Sequence, residues 1–160
     1  MRCMRGGCQD WVRQQPLNFA TFFDYQVDIH HVFPQKWCRA AKMDDARRES
    51  IVNKTALSAA TNRSIGGNSP AAYMPIVQKQ AGINAEELDR IVETHRIRPD
   101  LLRAANFDLY FAARAEAVLE LISEAMGKPA TREDRASVVA EVLNYDPDPD
   151  DLEIPAAISA

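Results

Sequence analysis

Val27-Asp28-Ile29-His30-His31-Val32-Phe33-Pro34 is the stretch that decides how this chain is read. Val, Ile and Phe favour an extended strand, and Pro34 suits the first turn of a helix that follows. Successive side chains on a strand point to opposite faces, so His30 and His31 cannot both enter one core. At least one must look outward into a groove. A neutral imidazole is both a general base and a metal ligand. Taken alone, a histidine pair is more often a surface accident than a site. The balance shifts with a second stretch, Ile51-Val52-Asn53-Lys54-Thr55-Ala56-Leu57-Ser58, which reads as a second strand. It leads through Thr61-Asn62-Arg63 toward a short helix.

With 160 residues and 46% apolar content, the chain is long enough for one globular domain with an appendage. No apolar run is long enough to span a bilayer, and the arginine-bearing start lacks the apolar core of a secretory signal. Cys3, Cys8 and Cys38 form no metal-type pair and leave an odd thiol, which fits a reducing cytoplasm better than a disulfide scaffold. The net charge of −4 hides an asymmetry. Residues 1–80 carry 11 Lys/Arg against 6 Asp/Glu, a net of +5, and residues 81–160 carry 8 against 17, a net of −9. The basic half is the one that holds the histidine pair.

The remaining punctuation predicts a mainly helical chain. Gly6-Gly7 breaks any early helix. Phe19, Phe22, Phe23 and Tyr25 supply aromatic bulk beside the first strand. Pro34 to Lys42 reads as a short helix, and Asp44 caps a helical turn. Ser69-Pro70 opens a helix that Gly82 ends. Asn84 caps Ala85 to Thr94, with Leu88, Ile91 and Val92 inward. Pro99 to Ala104 adds another turn or two. Asn106 or Asp108 opens the longest helix, to Met126, with a core stripe of Leu109, Phe111, Ala112, Ala115, Val118, Leu119 and Ile122. Arg132 to Leu143 makes a last helix, and the Asp/Pro-rich segment 146–160 is expected to be a disordered tail. The expected divisions are residues 1–80, 81–145 and 146–160.

Phosphodiester hydrolysis with one metal needs a base, two side chains that hold the ion while leaving positions open, and a cation for the phosphate charge. His30, His31, Asn62 and Arg63 are residues that could together supply that set. Two protein ligands leave room for waters and phosphate oxygens, as Mg²⁺ prefers. Lys36, Arg39, Lys42, Arg47, Arg48 and Lys54 are candidates for a phosphate track.

His-His-Val-Phe-Pro, Asn53 and Asn62-Arg63 together resemble the HNH, or His-Me finger, nuclease motif. The resemblance implies an α+β fold, mainly helical, with a ββα-metal core in residues 1–80 and a C-terminal helical bundle. It implies that His31 is the general base, that His30 and Asn62 hold one Mg²⁺ or Mn²⁺, and that Asn53 braces the hairpin or orients the base. A longer string resembles the C-terminal half of GmrSD-type restriction enzymes over roughly residues 7–127. It includes Asp10-Trp11, Trp37-Cys38, Ser69-Pro70, Tyr73, Thr94-His95, Phe107-Asp108 and Arg114. The implied function is a cytoplasmic phage-defence endonuclease acting on DNA, with Lys36, Arg39 and Lys54 as DNA contacts. No glycine-rich phosphate loop is present, so nucleotide control would come from a separate regulatory subunit. A catalytically idle DNA- or partner-binding fragment is the rival reading, and the presence of all four chemical residues argues against it. A structural zinc site would need more soft ligands than the two histidines and scattered cysteines assemble.

Overall fold

The chain divides into two units, Met1–Pro129 and Ala130–Ala160, and the computed structural model describes residues 7–130. Cys3, the expected helix from Arg132 to Leu143 and the acidic tail lie outside the described residues. Within the described residues the fold is α+β and mainly helical. In chain order come α1 (Phe19–Phe22), β1 (Asp28–His31), α2 (Gln35–Ala40), α3 (Asp45–Glu49) and a 3₁₀ turn (Ile51–Asn53). Then follow β2 (Lys54–Leu57), α4 (Ala59–Ile65), α5 (Pro70–Ala81), α6 (Ala85–Glu93), α7 (Pro99–Arg103) and α8 (Phe107–Met126). β1 and β2 pair antiparallel, with His30 opposite Thr55 and His31 opposite Lys54.

Local chemistry explains most element ends. Asp44 accepts from the Arg47 amide, Ser58 from Thr61 and Ser69 from Ala72, each satisfying an orphan donor of a first helical turn. Asn84 and Glu87 form a reciprocal capping box at the start of α6. Gly82 and Gly127 close α5 and α8 in the left-handed conformation, at φ 67° and 66°.

Four expectations need correction. The second strand does not begin at Ile51. Ser50 accepts from the Val52 amide and winds Ile51–Asn53 into a 3₁₀ turn, so only Lys54–Leu57 are extended. Asn62 and Arg63 sit in a helix rather than a turn, because the Ser58 cap starts α4 just after β2. On α8 the buried residues are Phe107, Tyr110, Arg114 and Ala115. Leu109 and Ile122 are exposed, so the helix is rotated from the aliphatic stripe toward its aromatic one. The rotation lets Phe33 meet Phe107 and Tyr110 at centroid distances of 5.2 and 4.9 Å. Phe22 and Tyr25 do pack beside the hairpin, against Leu17, Val27 and Ala56, but Phe23 is exposed.

The main core runs from Trp11 through Phe33, Leu57, Tyr73, Leu88 and Leu102 to Tyr110, joining residues on both sides of position 80. Two tyrosines of this core tie helices to the hairpin. Tyr73 donates its hydroxyl to the Val32 carbonyl at 2.9 Å, and Tyr110 donates to Val52 at 3.0 Å. Between these anchors lies Asn53, fully buried. Its Oδ1 accepts from the Phe33 amide at 2.9 Å, and its Nδ2 donates to the Phe33 and Arg48 carbonyls, both at 3.0 Å. Its own carbonyl accepts from Val32 at 2.8 Å.

Asn53→Ala should therefore cost roughly 3 kcal/mol of stability, because it strands a buried amide and two carbonyls. Urea unfolding with circular dichroism checks this. A loss below about 1 kcal/mol would mean that water replaces the side chain.

Candidate active site

The hairpin register fixes where the two imidazoles lie. Directly opposed residues share a face, so His30 shares one with Thr55 and His31 shares the other with Lys54. The sequence expectation of opposite faces matches this register. His31 Nε2 lies 3.1 Å from Glu49 Oε2 at the end of α3. The same carboxylate accepts from Arg48 Nε at 3.0 Å and faces Lys54 Nζ at 3.6 Å. Its pKa is pulled down to about 2, first by the Arg48 hydrogen bond, and then further by His31 and Lys54. An ionised carboxylate only accepts, so the tautomer of neutral His31 that suits it carries hydrogen on Nε2 and a lone pair on Nδ1. Glu49 had no signal in the sequence. It is 18 residues from His31 along the chain and is one of many acids in a charged segment.

His30 Nε2 is buried and has no hydrogen-bond partner among the described residues. Burial lowers the pKa of this ring; Asp28 raises it in part and His31 lowers it further. A ring nitrogen held neutral, buried and unpaired is the state in which imidazole binds a metal. Asn62 lies in α4, partly exposed, and its side chain makes no hydrogen bond within the described residues. No group of three or more His, Cys, Asp and Glu side chains able to hold a metal occurs among the described residues. The sequence expectation of one histidine and one asparagine as ligands is a smaller set of a different kind. Such a ligand set would suit a hydrated oxygen-seeking cation rather than a closed zinc cage.

The other named residues separate into two groups. Asn53 is fully buried beneath the loop after His31, its side chain bonded to the backbone of Phe33 and Arg48. Arg63, Lys36 and Arg39 are exposed. A Cβ on Gly67 would fall 2.9 Å from Lys36 Cδ, so the Lys36 stem lies across the glycine turn after α4. Arg39 donates to Gln35 at 3.1 Å. Lys54 is half-buried against Glu49. Two members of the expected phosphate track are committed to the fold instead. Arg47 stacks on Phe107 and Phe111 at 5.0 and 4.9 Å and pairs with Asp108. Arg48 is buried between Asp45 and Glu49. Cys38 is a buried free thiol whose pKa burial raises. The expectation of a chain without disulfides fails at Cys8, which is disulfide-bonded.

Two buried polar groups hold the frame. Asp10 accepts from the amides of Val12 and Arg13, the Thr61 hydroxyl and the Ser58 amide. Burial would raise its pKa, yet these donors together hold it below 3.8. His95, 2% exposed, links Thr55 Oγ1 at 2.8 Å to the Gln9 carbonyl at 2.7 Å. It is a structural tie between β2 and the lead-in segment.

No known protein-family profile matches the chain, and no solved structure matches it. It is similar to "Uncharacterized protein MJ0686" of Methanocaldococcus jannaschii, 26% identical over 131 residues, which cover 69% of this chain and 22% of that protein. The matched stretch therefore spans under a quarter of that relative's length. No helix among the described residues is long and apolar enough to cross a membrane.

Burial pulls the pKa of His95 down from 6.5 to about 4. Between those values the unfolded chain binds a proton that the folded chain does not, so stability rises with pH across that window. Acidification from pH 7 to 4 should remove about 3 kcal/mol through this group. Asp10 adds its loss only below 3.8. His95→Gln should flatten the slope between pH 4 and 6.5 in denaturant titrations. An unchanged slope would reassign it to other groups.

Proposed function

We propose that this chain is an HNH-type, metal-dependent endonuclease that hydrolyses DNA phosphodiester bonds in phage restriction, with its hairpin and α4 forming a ββα-metal core. The observation that carries this reading is His30 Nε2, buried and unpaired, beside a His31 whose Nε2 is held by Glu49. His30 and Asn62 would hold one Mg²⁺ or Mn²⁺, which when bound polarises the phosphate and steadies the leaving oxygen. His31 takes the proton of the attacking water at Nδ1. Glu49 fixes the ring and stabilises the imidazolium that results. A phosphate serving both rings approaches the end of β1, because the rings leave opposite faces of the strand. Arg63 meets phosphate charge, and Lys36 and Arg39 extend the cationic track along the backbone of the duplex. Lys54 serves DNA less than its charge suggests, since Glu49 already neutralises it in part. The resemblance to GmrSD-type enzymes supports DNA as substrate and a separate nucleotide-binding subunit as regulator.

Cleavage of plasmid DNA in Mg²⁺ and Mn²⁺ tests the reading. His31→Ala should retain metal and DNA binding while cleavage falls by about 10²–10⁴-fold. Should neither His31→Ala nor His30→Ala change cleavage, the nuclease reading fails.

The ligand pair is expected to behave differently. His30→Ala and Asn62→Ala should weaken metal affinity, and raised Mn²⁺ should restore part of the cutting by mass action. Calorimetric titration of Mn²⁺ reads this directly. If His31→Ala abolished metal binding and His30→Ala did not, the two roles would be exchanged.

A further inference from the structure

A cavity of about 560 Å³, lined by neither His30 nor His31, lies between β2 and the C-terminal half of α8. Its volume is in the range of small-molecule sites. Most of its wall is apolar, contributed by Ile29, Val118 and Leu121 among others. The charged side chains that line it are Lys54, Arg96 and Arg114, and no carboxylate lines it among the described residues. Arg114 is the unusual member. It is 9% exposed, and one Nη donates to the His95 carbonyl, but its Nε has no partner among the described residues. A buried guanidinium N–H left unpaired is costly. The bond to the His95 carbonyl satisfies one Nη and leaves the Nε cost unmet among the described residues.

Arg114 also borders a smaller cavity of about 210 Å³. That one has Glu116 and Glu120 in its own wall, so it already holds negative charge. The larger cavity has cations, the neutral polar groups of Thr55, Thr94 and His95, and apolar surface, without a carboxylate among the described residues. A guanidinium presents parallel N–H donors that match a carboxylate or sulfonate. An apolar body attached to such a head would cover the aliphatic wall.

We propose that this cavity is a binding site for a small organic monoanion with an apolar body, its acid group on Arg114 and its body against Val118 and Leu121. The cavity is bordered by Lys54, the register partner of His31, so an occupant would touch the strand paired with the histidine strand. The site stands independently of the nuclease reading, because it uses neither imidazole of the pair.

The test uses the full chain and anilinonaphthalene sulfonate, which fluoresces when buried in apolar surroundings. Expected is saturable one-site binding, displaced by decanoate and not by decylamine. Val118→Trp fills the cavity from a half-buried helix position and should weaken the probe by about tenfold or more. Arg114→Met keeps an apolar stem while removing the acid's partner, and should weaken probe and decanoate to a similar degree. Circular dichroism establishes that each variant is folded. Should Arg114→Met unfold, the Val118→Trp variant and the preference for acid over amine decide the matter. Absence of saturable binding, equal displacement by acid and amine, or unchanged affinity in folded Val118→Trp would each overturn the proposal.

Discussion

The buried amide of Asn53 is the constraint on which the hairpin depends. A two-stranded sheet is only marginally stable by itself, and this one has four residues in each strand. The connection between the strands carries two short helices and a 3₁₀ turn. Its closing costs entropy that the strand pairing alone offsets poorly. Asn53 ties both ends of this connection together. It pairs with both backbone groups of Phe33 through one planar side chain. Tyr73 and Tyr110 then hold the flanking carbonyls of Val32 and Val52 from two helices that lie later in the chain. His31 leaves the strand immediately before this anchored segment, so its direction is set by backbone bonds rather than by its own contacts alone.

A second set of polar ties explains why so small a sheet can carry a defined site. Asp10 gathers donors from its own turn and from the corner between β2 and α4. The lead-in segment thereby fixes the helix that carries Asn62. His95 joins the same lead-in to Thr55. These groups are fully or nearly buried, where a satisfied polar network specifies one arrangement and a half-satisfied one is costly. Three nitrogens depart from that pattern among the described residues: those of Trp11, His30 and Arg114. Two of them belong to side chains with ligand chemistry, and they lie in the two places where a functional reading is strongest.

The charges around the hairpin are fewer in function than in number. The basic surplus of residues 1–80 suggested a broad phosphate-binding face. Arg47 is spent on aromatic stacking, Arg48 on burial between two acids, and Lys54 partly on Glu49. Arg63, Lys36 and Arg39 remain on the surface. Net charge by segment counts formal charges, whereas a ligand meets only those that no neighbouring acid has already taken up.

Strand alternation, proline and glycine punctuation and side-chain caps were legible in the residues themselves. They placed the histidines on opposite faces, put helices after Pro34, Ser69 and Asn84 and after Asn106 or Asp108, and located the ends at Gly82 and Met126. Such signals are local: they act within about one turn of the backbone and need no distant partner. The brace role of Asn53 came from family resemblance, and its three side-chain bonds gave it physical content. Tertiary packing alone decided the rest. It turned α8 onto Tyr110 and Arg114 instead of Leu109 and Ile122, because the space beside Phe33 accepts rings. It brought Glu49 to His31 and opened the cavity under Arg114. Those outcomes depend on which surfaces meet across long stretches of chain, and no periodicity within one segment encodes its partner.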